Sequence, residues 1–174
     1  SSIGALFVNR QATGNGADDA DYNRTFGADG RWGFGQNGIV SGFAARTETP
    51  GRRGEDYAYD MAVDYNAQVW RVRAGYMAMG DNFNPEVGFV NRRTYRHGNA
   101  RVLRHVRMES VPWFREFRPH VSWSQFWTLD GFSESYLVHF DNHFQFENGA
   151  FLQLPGFNFT GEGPSSRSRF ARAS

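Results

Sequence analysis

The chain has 174 residues, no cysteine and a formal net charge of +1. This length suits one domain, and the absence of cysteine excludes disulfides, thiolate nucleophiles and Cys-based metal sites. The small net charge gives no electrostatic reason to expect nucleic acid as a partner. The sequence has no apolar run long enough for a transmembrane helix. All 19 basic residues are Arg, so every cation is a planar, permanently charged donor.

The hydrophobic pattern has a period of two along nearly the whole chain. Large apolar residues take the odd positions in residues 57–66 and most of the even positions in residues 135–146. Alternation over ten or more residues indicates strands with one apolar and one polar face. The pattern predicts strands at 2–10, 22–34, 38–48, 57–66, 68–79, 101–109, 115–128, 135–146 and 150–159.

Short connections join these segments and contain turn residues. Asp130-Gly131 and Asn148-Gly149 are examples of dipeptides that supply the positive φ angles of hairpins. The sequence therefore predicts an all-β fold, an antiparallel up-and-down meander of about eight or nine long strands, curled into an incomplete or small barrel-like sheet. We expect one domain at 1–160 and a flexible Gly/Ser/Arg tail at 161–174. Because the chain starts without Met or a basic segment, we also expect it to be processed or a fragment.

Long strands with two different faces also occur in the smallest outer-membrane barrels. Two features favour a water-soluble sheet instead. The segment 101–107 carries Arg on both predicted faces, and the chain ends in Arg172-Ala173-Ser174 rather than in a strand that closes on an aromatic residue. Both interpretations stay open from the residues alone.

Three segments resemble one bacterial family: residues 22–32, residues 42–47 and, most specifically, Gly80-Asp81-Asn82-Phe83-Asn84-Pro85-Glu86-Val87-Gly88-Phe89. Over about residues 2–160 the chain resembles the outer-membrane-type β-barrel domain of unknown function that follows a carbohydrate-binding-like β-sandwich in these proteins. The resemblance implies a β-meander without catalytic residues. Since family members extend further in both directions, it also implies that the chain holds only part of their barrel, too few strands for a wide one.

A free-standing piece of this family resembles an extrinsic subunit of a photosynthetic reaction-centre–light-harvesting complex in a phototrophic bacterium. The resemblance thus implies a structural subunit on the periplasmic side of a bacterial membrane, which docks onto a larger membrane complex and stabilises it. The implied partners are protein subunits of that complex, with lipid headgroups as a further contact. The alternative is an outer-membrane barrel or barrel fragment for transport or ligand capture.

Two groups of residues have side chains suited to metal binding. His139, Asp141 and His143 alternate along one predicted strand, so they share a face and offer donor types that bind transition metals. The alternative is an ordinary polar face, and we predict this structural role, without metal or cofactor. The acidic loop at Asp18, Asp19 and Asp21 lacks the spacing of a calcium loop and is predicted to be a solvated hairpin connection.

No enzyme class is indicated by the remaining pattern. Asp60 and Asp64 lie too far apart along one strand to form a glycosidase pair. The chain has no nucleophile elbow, phosphate-binding loop, zinc-protease motif or dinucleotide fingerprint. We therefore predict that the protein is not an enzyme.

Positive charge is concentrated in one part of the chain. Residues 92–118 contain eight Arg and two Glu, so they carry six net positive charges and the rest of the chain carries five net negative charges. Arg and aromatic residues are enriched at protein interfaces. The alternative is that the acidic strand at 55–64 neutralises this charge within the sheet. We predict a docking surface formed by Arg92, Arg93, Arg96, Arg101, Arg104, Arg107, Trp113, Arg115 and Arg118.

Overall fold

The computed structural model describes residues 1–16, 18, 21–86, 88, 90 and 92–163. Within these residues the protein is all-β, and no helix among them is able to cross a lipid bilayer. The strands are β1 (Ser2–Gln11), β2 (Tyr22–Phe34), β3 (Gly38–Glu48), β4 (Tyr57–Asn66), β5 (Trp70–Met79), β6 (Tyr95–Arg104), β7 (Phe114–Trp127), β8 (Ser133–Phe146), β9 (Phe151–Gln153) and β10 (Phe157–Glu162).

All ten strands belong to one antiparallel sheet with the order β1-β2-β3-β4-β5-β6-β7-β8-β10, and β9 also pairs with β8. β1 and β10 stand at opposite ends of this order, so the sheet is not closed. The tight connections use positive φ where the sequence predicts it, for example 90° at Gly131 and 85° at Gly149. The predicted all-β antiparallel meander with incomplete closure is confirmed.

Two predicted strands differ from the structure by more than two residues. The strand predicted at 101–109 is β6, which begins and ends earlier, at Tyr95 and Arg104. Pairing with β5 holds residues 95–100, although Gly98 and Asn99 interrupt the apolar alternation there. The strand predicted at 150–159 divides into β9 and β10 around Pro155, which has no N–H to donate. Most of the predicted tail, residues 164–174, lies outside the described residues.

The sheet forms a single layer. In the described part of the chain, each strand contacts only the strands to which it is hydrogen bonded. Most globular domains instead pack at least two layers around one core. The buried apolar side chains are accordingly few: Ala58, Ala62, Ala78, Phe83 and Phe114.

The strand register separates two chemically different faces, since directly opposed residues lie on the same side of a sheet. We call one the apolar face. It carries a row of consecutive partners without a polar side chain: Trp32, Val40, Val63, Ala74, Ala100, Trp123, Val138 and Phe159. The other, the polar face, carries charged residues in the middle of the strands, including Asp29, Arg31, Asp60, Asp64, Arg73 and Arg101.

The connection between β5 and β6, which contains the family-like motif, folds against the ends of β2 and β3. The Asn84 N–H donates to Thr47 Oγ1 at 2.9 Å, and the Asn84 carbonyl accepts from Asn23 Nδ2 at 2.8 Å. The Asn82 side chain donates to two carbonyls of the β3–β4 loop at 3.1 and 2.9 Å. Phe83, which lies between Asn82 and Asn84 in the sequence, is buried. Asn82 and Asn84 of the motif therefore have a structural role, which holds this connection against β2 and β3.

Candidate docking surface

An uncharged band, which we call the apolar band, crosses the apolar face. Its central row is the row that runs from Trp32 to Phe159. The row on one side is Phe34, Gly38, Tyr65, Val72, Val102, Val121, Phe140 and Phe157. The row on the other side is Ile3, Gly30, Gly42, Met61, Tyr76, Gly98, Gln125, Tyr136 and Gly161.

The apolar band is as large as a protein interface. Rows on one face lie about 6.7 Å apart and strands about 4.8 Å apart, so three rows across eight strands cover roughly 20 Å by 38 Å, or close to 800 Å². The largest apolar patch on a typical monomer is roughly 300–600 Å². A standard protein interface buries about 800 Å² on each partner. The band therefore has the dimensions of a binding surface.

Side chains of the band are exposed to solvent in the isolated chain. Phe157 is 72% exposed, Trp32 61%, Met61 60% and Phe159 58%. Near β1 the band is hollowed into a groove of about 780 Å³, whose lining includes Ile3, Trp32 and Met61. Exposed aromatic rings of this kind provide large contact area at low entropic cost when a partner covers them.

Charged residues of the apolar face lie near the strand ends, outside the band. On β6, Arg96 stands at one rim, between Ala78 and Trp127 in the register. Arg104 stands at the other rim, with its guanidinium 5.3 Å from the centre of the Trp70 ring. The ion pairs found within the described residues involve neither of these two arginines. Both remain able to contact acidic groups of a partner.

Two further predicted docking residues make contacts within the chain. Arg92 forms an ion pair with Glu134, and its guanidinium lies 4.9 Å from the centre of the Phe126 ring. Arg93 donates from Nη2 to Asn84 Oδ1 at 3.1 Å. These contacts fix the loop that precedes β6, so both residues have a structural role there.

The other five predicted residues lie in two more places. Arg101 and Arg118 are on the polar face. Arg118 and Arg107 lie 3.5 and 3.6 Å from the Glu116 carboxylate, measured from Nε. The remaining two, Trp113 and Arg115, lie just before and at the start of β7, and Trp113 is 65% exposed. Of the nine residues, Arg96 and Arg104 are the two that flank the apolar band. Docking by residues 92–118 as a whole stays a prediction.

The segment 55–64 is the alternative source of acidic partners for the arginines of 92–118. Its residues Asp56 and Asp64 pair instead with arginines outside 92–118. Asp64 accepts from Arg73 at 3.1 Å and Asp56 from Arg46 at 3.0 Å. Asp60 lies on the polar face, opposite Phe43 and Met77. In the loop at 14–21, Asp21 pairs with Arg10 at 2.7 Å, whereas Asp19 lies outside the described residues.

A second cluster of polar side chains lies on the polar face where β7 and β8 pair. His139, Asp141 and His143 share this face, and the register places His120 of β7 directly opposite Asp141. His143 Nε2 lies 3.4 Å from Asp141 Oδ2, and His139 Nε2 lies 4.0 Å from the same oxygen. His120 is a member of this cluster that the alternation along residues 135–146 does not predict. The alternation of Arg118, His120 and Ser122 predicts that these side chains share one face of β7. It does not predict which residues of β8 lie opposite them.

Local electrostatics define the protonation of this cluster. Burial lowers the pKa of His120, and the charge of Arg101 lowers it further. Burial alone would raise the pKa of Asp141, but the Asn142 N–H and His143 outweigh it, so the pKa lies below its ordinary value. At neutral pH, a neutral His120 imidazole therefore faces an ionised Asp141 carboxylate.

No model of a known protein family, no curated protein and no solved structure matches the chain. The functional interpretation therefore rests on the residues themselves. The two features that need an explanation are the exposed apolar band with its arginine rims and the histidine–aspartate cluster on the opposite face.

Proposed function

We propose that the protein is a non-enzymatic scaffold that docks its apolar band onto a partner protein within a larger membrane complex. The observation that carries the proposal is the exposed, uncharged band on a single-layer sheet. Burial of apolar surface contributes about 25 cal/mol per Å². Covering even half of the band would contribute about 10 kcal/mol, which is comparable to the roughly 4–15 kcal/mol that association costs.

The edges of the sheet favour a protein partner over a lipid phase. The backbone groups on the outer sides of β1 and β10 have no strand partner in the described sheet. In hydrocarbon each unpaired backbone group costs several kcal/mol, and charged residues of the polar face such as Asp60 and Arg101 would also need water. A partner protein that covers only the apolar face leaves the edges and the polar face hydrated.

The resemblance to an extrinsic photosynthetic subunit supplies the candidate assembly. On this proposal the protein lies on the periplasmic side of the membrane and stabilises a reaction-centre–light-harvesting complex. Its partners are protein subunits of that complex. Arg96 and Arg104 contact acidic side chains or lipid headgroups at the two rims of the band, because a guanidinium binds carboxylates and phosphates with paired hydrogen bonds.

A second candidate function is an outer-membrane barrel, or part of one, for transport or ligand capture. The height of the apolar band, about 20 Å, approaches the roughly 25 Å belt of such barrels. Aromatic residues also lie at one rim of the band, where Tyr57, Tyr59 and Trp127 belong to the apolar face.

Extraction from native membranes separates the two candidates. A docked scaffold should be released by mild alkali or salt, and after gentle solubilisation it should co-purify with the subunits of its complex. A barrel should resist alkali and be released by detergent alone. Recovery of the protein by itself in detergent micelles, after resistance to alkali, would contradict the scaffold proposal.

Charge reversal at the two rims tests how the band is oriented on its partner. Replacing both Arg96 and Arg104 by Glu should weaken association about tenfold or more and reduce its dependence on salt, because charges at an interface rim act mainly on association rate. The measurement is the affinity for the purified complex at several salt concentrations. The matched control replaces Arg31 and Arg71, on the polar face, by Glu. Equal weakening in both variants would exclude a specific role for the rims.

A further inference from the structure

The histidine–aspartate cluster has the geometry of an incomplete coordination shell. Directly opposed residues of an antiparallel pair have Cβ atoms about 4.5–5.5 Å apart, and His120 and Asp141 are such a pair. One ligand atom from each of His120, His139 and Asp141 lies within 4.8 Å of the others. Ligand atoms around a tetrahedral zinc ion at about 2.0–2.1 Å are roughly 3.4 Å apart. Binding a zinc ion would therefore require these ligand atoms to move closer together, by up to about 1.4 Å.

One imidazole already presents its free nitrogen to the carboxylate. His139 Nδ1 lies 2.6 Å from Asn158 Oδ1 on β10. An amide oxygen only accepts hydrogen bonds, so Nδ1 is the donor in this contact, and Nε2, the atom that faces Asp141, is the nitrogen left for a metal ion. Metal-binding histidines are typically oriented in this way, by a hydrogen bond from the other ring nitrogen.

The second imidazole has an unsatisfied nitrogen. His120 Nδ1 is buried and has no hydrogen-bond partner among the described residues. Its ring stacks on His143, with centroids 5.3 Å apart and an interplanar angle of 13°. A buried polar atom without a partner is unusual in a native protein and calls for an explanation. A bound ion within the cluster would hold this ring in place.

The carboxylate directs one oxygen, Oδ2, at the imidazoles of His139 and His143. Asp141 is 8% exposed, and its Oδ2 accepts from Gln153 Nε2 at 3.2 Å. Within the described residues, its ion-pair partners are His139 and His143, which carry charge only when protonated. A cation held between this carboxylate oxygen and the imidazole nitrogens would be stabilised by the buried negative charge.

From these contacts we propose that His120, His139 and Asp141 bind a divalent transition-metal ion of the zinc class, with His143 beside the carboxylate as a further donor. Imidazole nitrogens favour zinc, copper or nickel over magnesium or calcium. The proposal departs from the structural role that the sequence predicts for His139, Asp141 and His143. A single strand offers these donors about 6.6–7 Å apart, whereas His120 adds a ligand from the neighbouring strand. The proposal is independent of docking, because the cluster lies on the opposite face.

Calorimetric titration of the full, chelator-treated chain with zinc tests the proposal. We expect one zinc per chain. His139→Gln and His120→Gln should each weaken binding by about 100-fold or more, because loss of a hydrogen bond to a ligand alone costs about 10–100-fold. Asn158→Ala removes the hydrogen bond to His139 Nδ1 and should weaken zinc binding by about 10–100-fold. His97→Gln is the matched control, since His97 lies on the polar face with Nε2 2.9 Å from Ser124 Oγ, outside the cluster.

A second readout tests the ligand type. Cobalt in place of zinc should give the absorption of a four-coordinate nitrogen and oxygen site, and excess magnesium or calcium should not displace it. Circular dichroism of each variant shows whether it is folded, and Asn158→Ala tests the site if a histidine variant unfolds. The proposal is overturned if the wild-type chain shows no saturable binding at millimolar zinc. It is also overturned if His97→Gln weakens binding as much as His139→Gln.

Discussion

Replacing Met61 and Phe159 together by Glu should abolish association with the complex and leave the sheet folded. Both side chains are exposed in the free chain, by 60% and 58%, so carboxylates there stay hydrated. In the docked state they would be buried without partners, which costs several kcal/mol for each charge. We expect affinity to fall by at least about 100-fold, since each 1.4 kcal/mol is a factor of ten. Affinity for the purified complex is the measurement.

The matched control places the same charges on the opposite face. Thr160 follows Phe159 on β10, and Ser41 lies on β3, where it opposes Arg31 on the polar face. The Ser41→Glu, Thr160→Glu double variant should bind like the wild type. Loss of binding in both double variants would point to a general disturbance of the sheet, which circular dichroism would show. Retention in both would exclude the apolar band as the docking surface.

The sequence predicts the fold class well because the relevant signals are local. Alternation along 57–66 and 135–146 predicts β4 and β8, and Asp130-Gly131 predicts the turn between β7 and β8. The same alternation predicts that each strand has an apolar side. It carries no information on whether a second layer covers that side. A covering layer would have to come from residues far apart in the chain. Among the described residues, no strand packs across the apolar face.

The arrangement of the candidate site residues depends on contacts between residues far apart in the chain, which a local pattern does not show. Arg101 and Arg104 are close in sequence, but an odd separation on a strand places them on opposite faces. Arg92 finds its acidic partner 42 positions away, at Glu134. His120 joins the histidine–aspartate cluster only because β7 pairs with β8 in one register. A shift by one residue would point it to the other face.

Gly80 illustrates a residue whose role becomes clear only in the structure. The Gly80 N–H donates to the Tyr57 carbonyl at 2.9 Å, and the Asn82 N–H donates to the Glu55 carbonyl at 3.0 Å. Glu55 itself has a positive φ of 50°, which is uncommon for a residue with a side chain. These bonds draw two backbone segments together, so that a side chain at position 80 has no room beside the Glu55 carbonyl. The motif that resembles the bacterial family thus begins at a close backbone contact.

Gly80→Ala should therefore be strongly destabilising. The added Cβ would overlap the Glu55 carbonyl, a backbone group that moves only if the β3–β4 loop or the β5–β6 connection shifts. A shift would also weaken the bonds of Asn84 to Thr47 and Asn23. Overpacking alone costs about 1–3 kcal/mol, and the lost bonds about 1 kcal/mol each. We expect the free energy of unfolding, measured by denaturant titration, to fall by about 3 kcal/mol, a large part of the roughly 5–15 kcal/mol of a typical domain.

Gly33→Ala is the matched control for this substitution. Gly33 lies near the end of β2, where it pairs with Ile39 of β3, and the nearest atom to a Cβ there is the Gly38 carbonyl oxygen at 3.7 Å, an ordinary contact. Since alanine fits without displacement, the free energy of unfolding should stay within about 0.5 kcal/mol of the wild-type value, as for most exposed substitutions. If the two variants were equally stable, the β5–β6 connection would not be held against β3 as tightly as its hydrogen bonds indicate, and the motif would need another explanation.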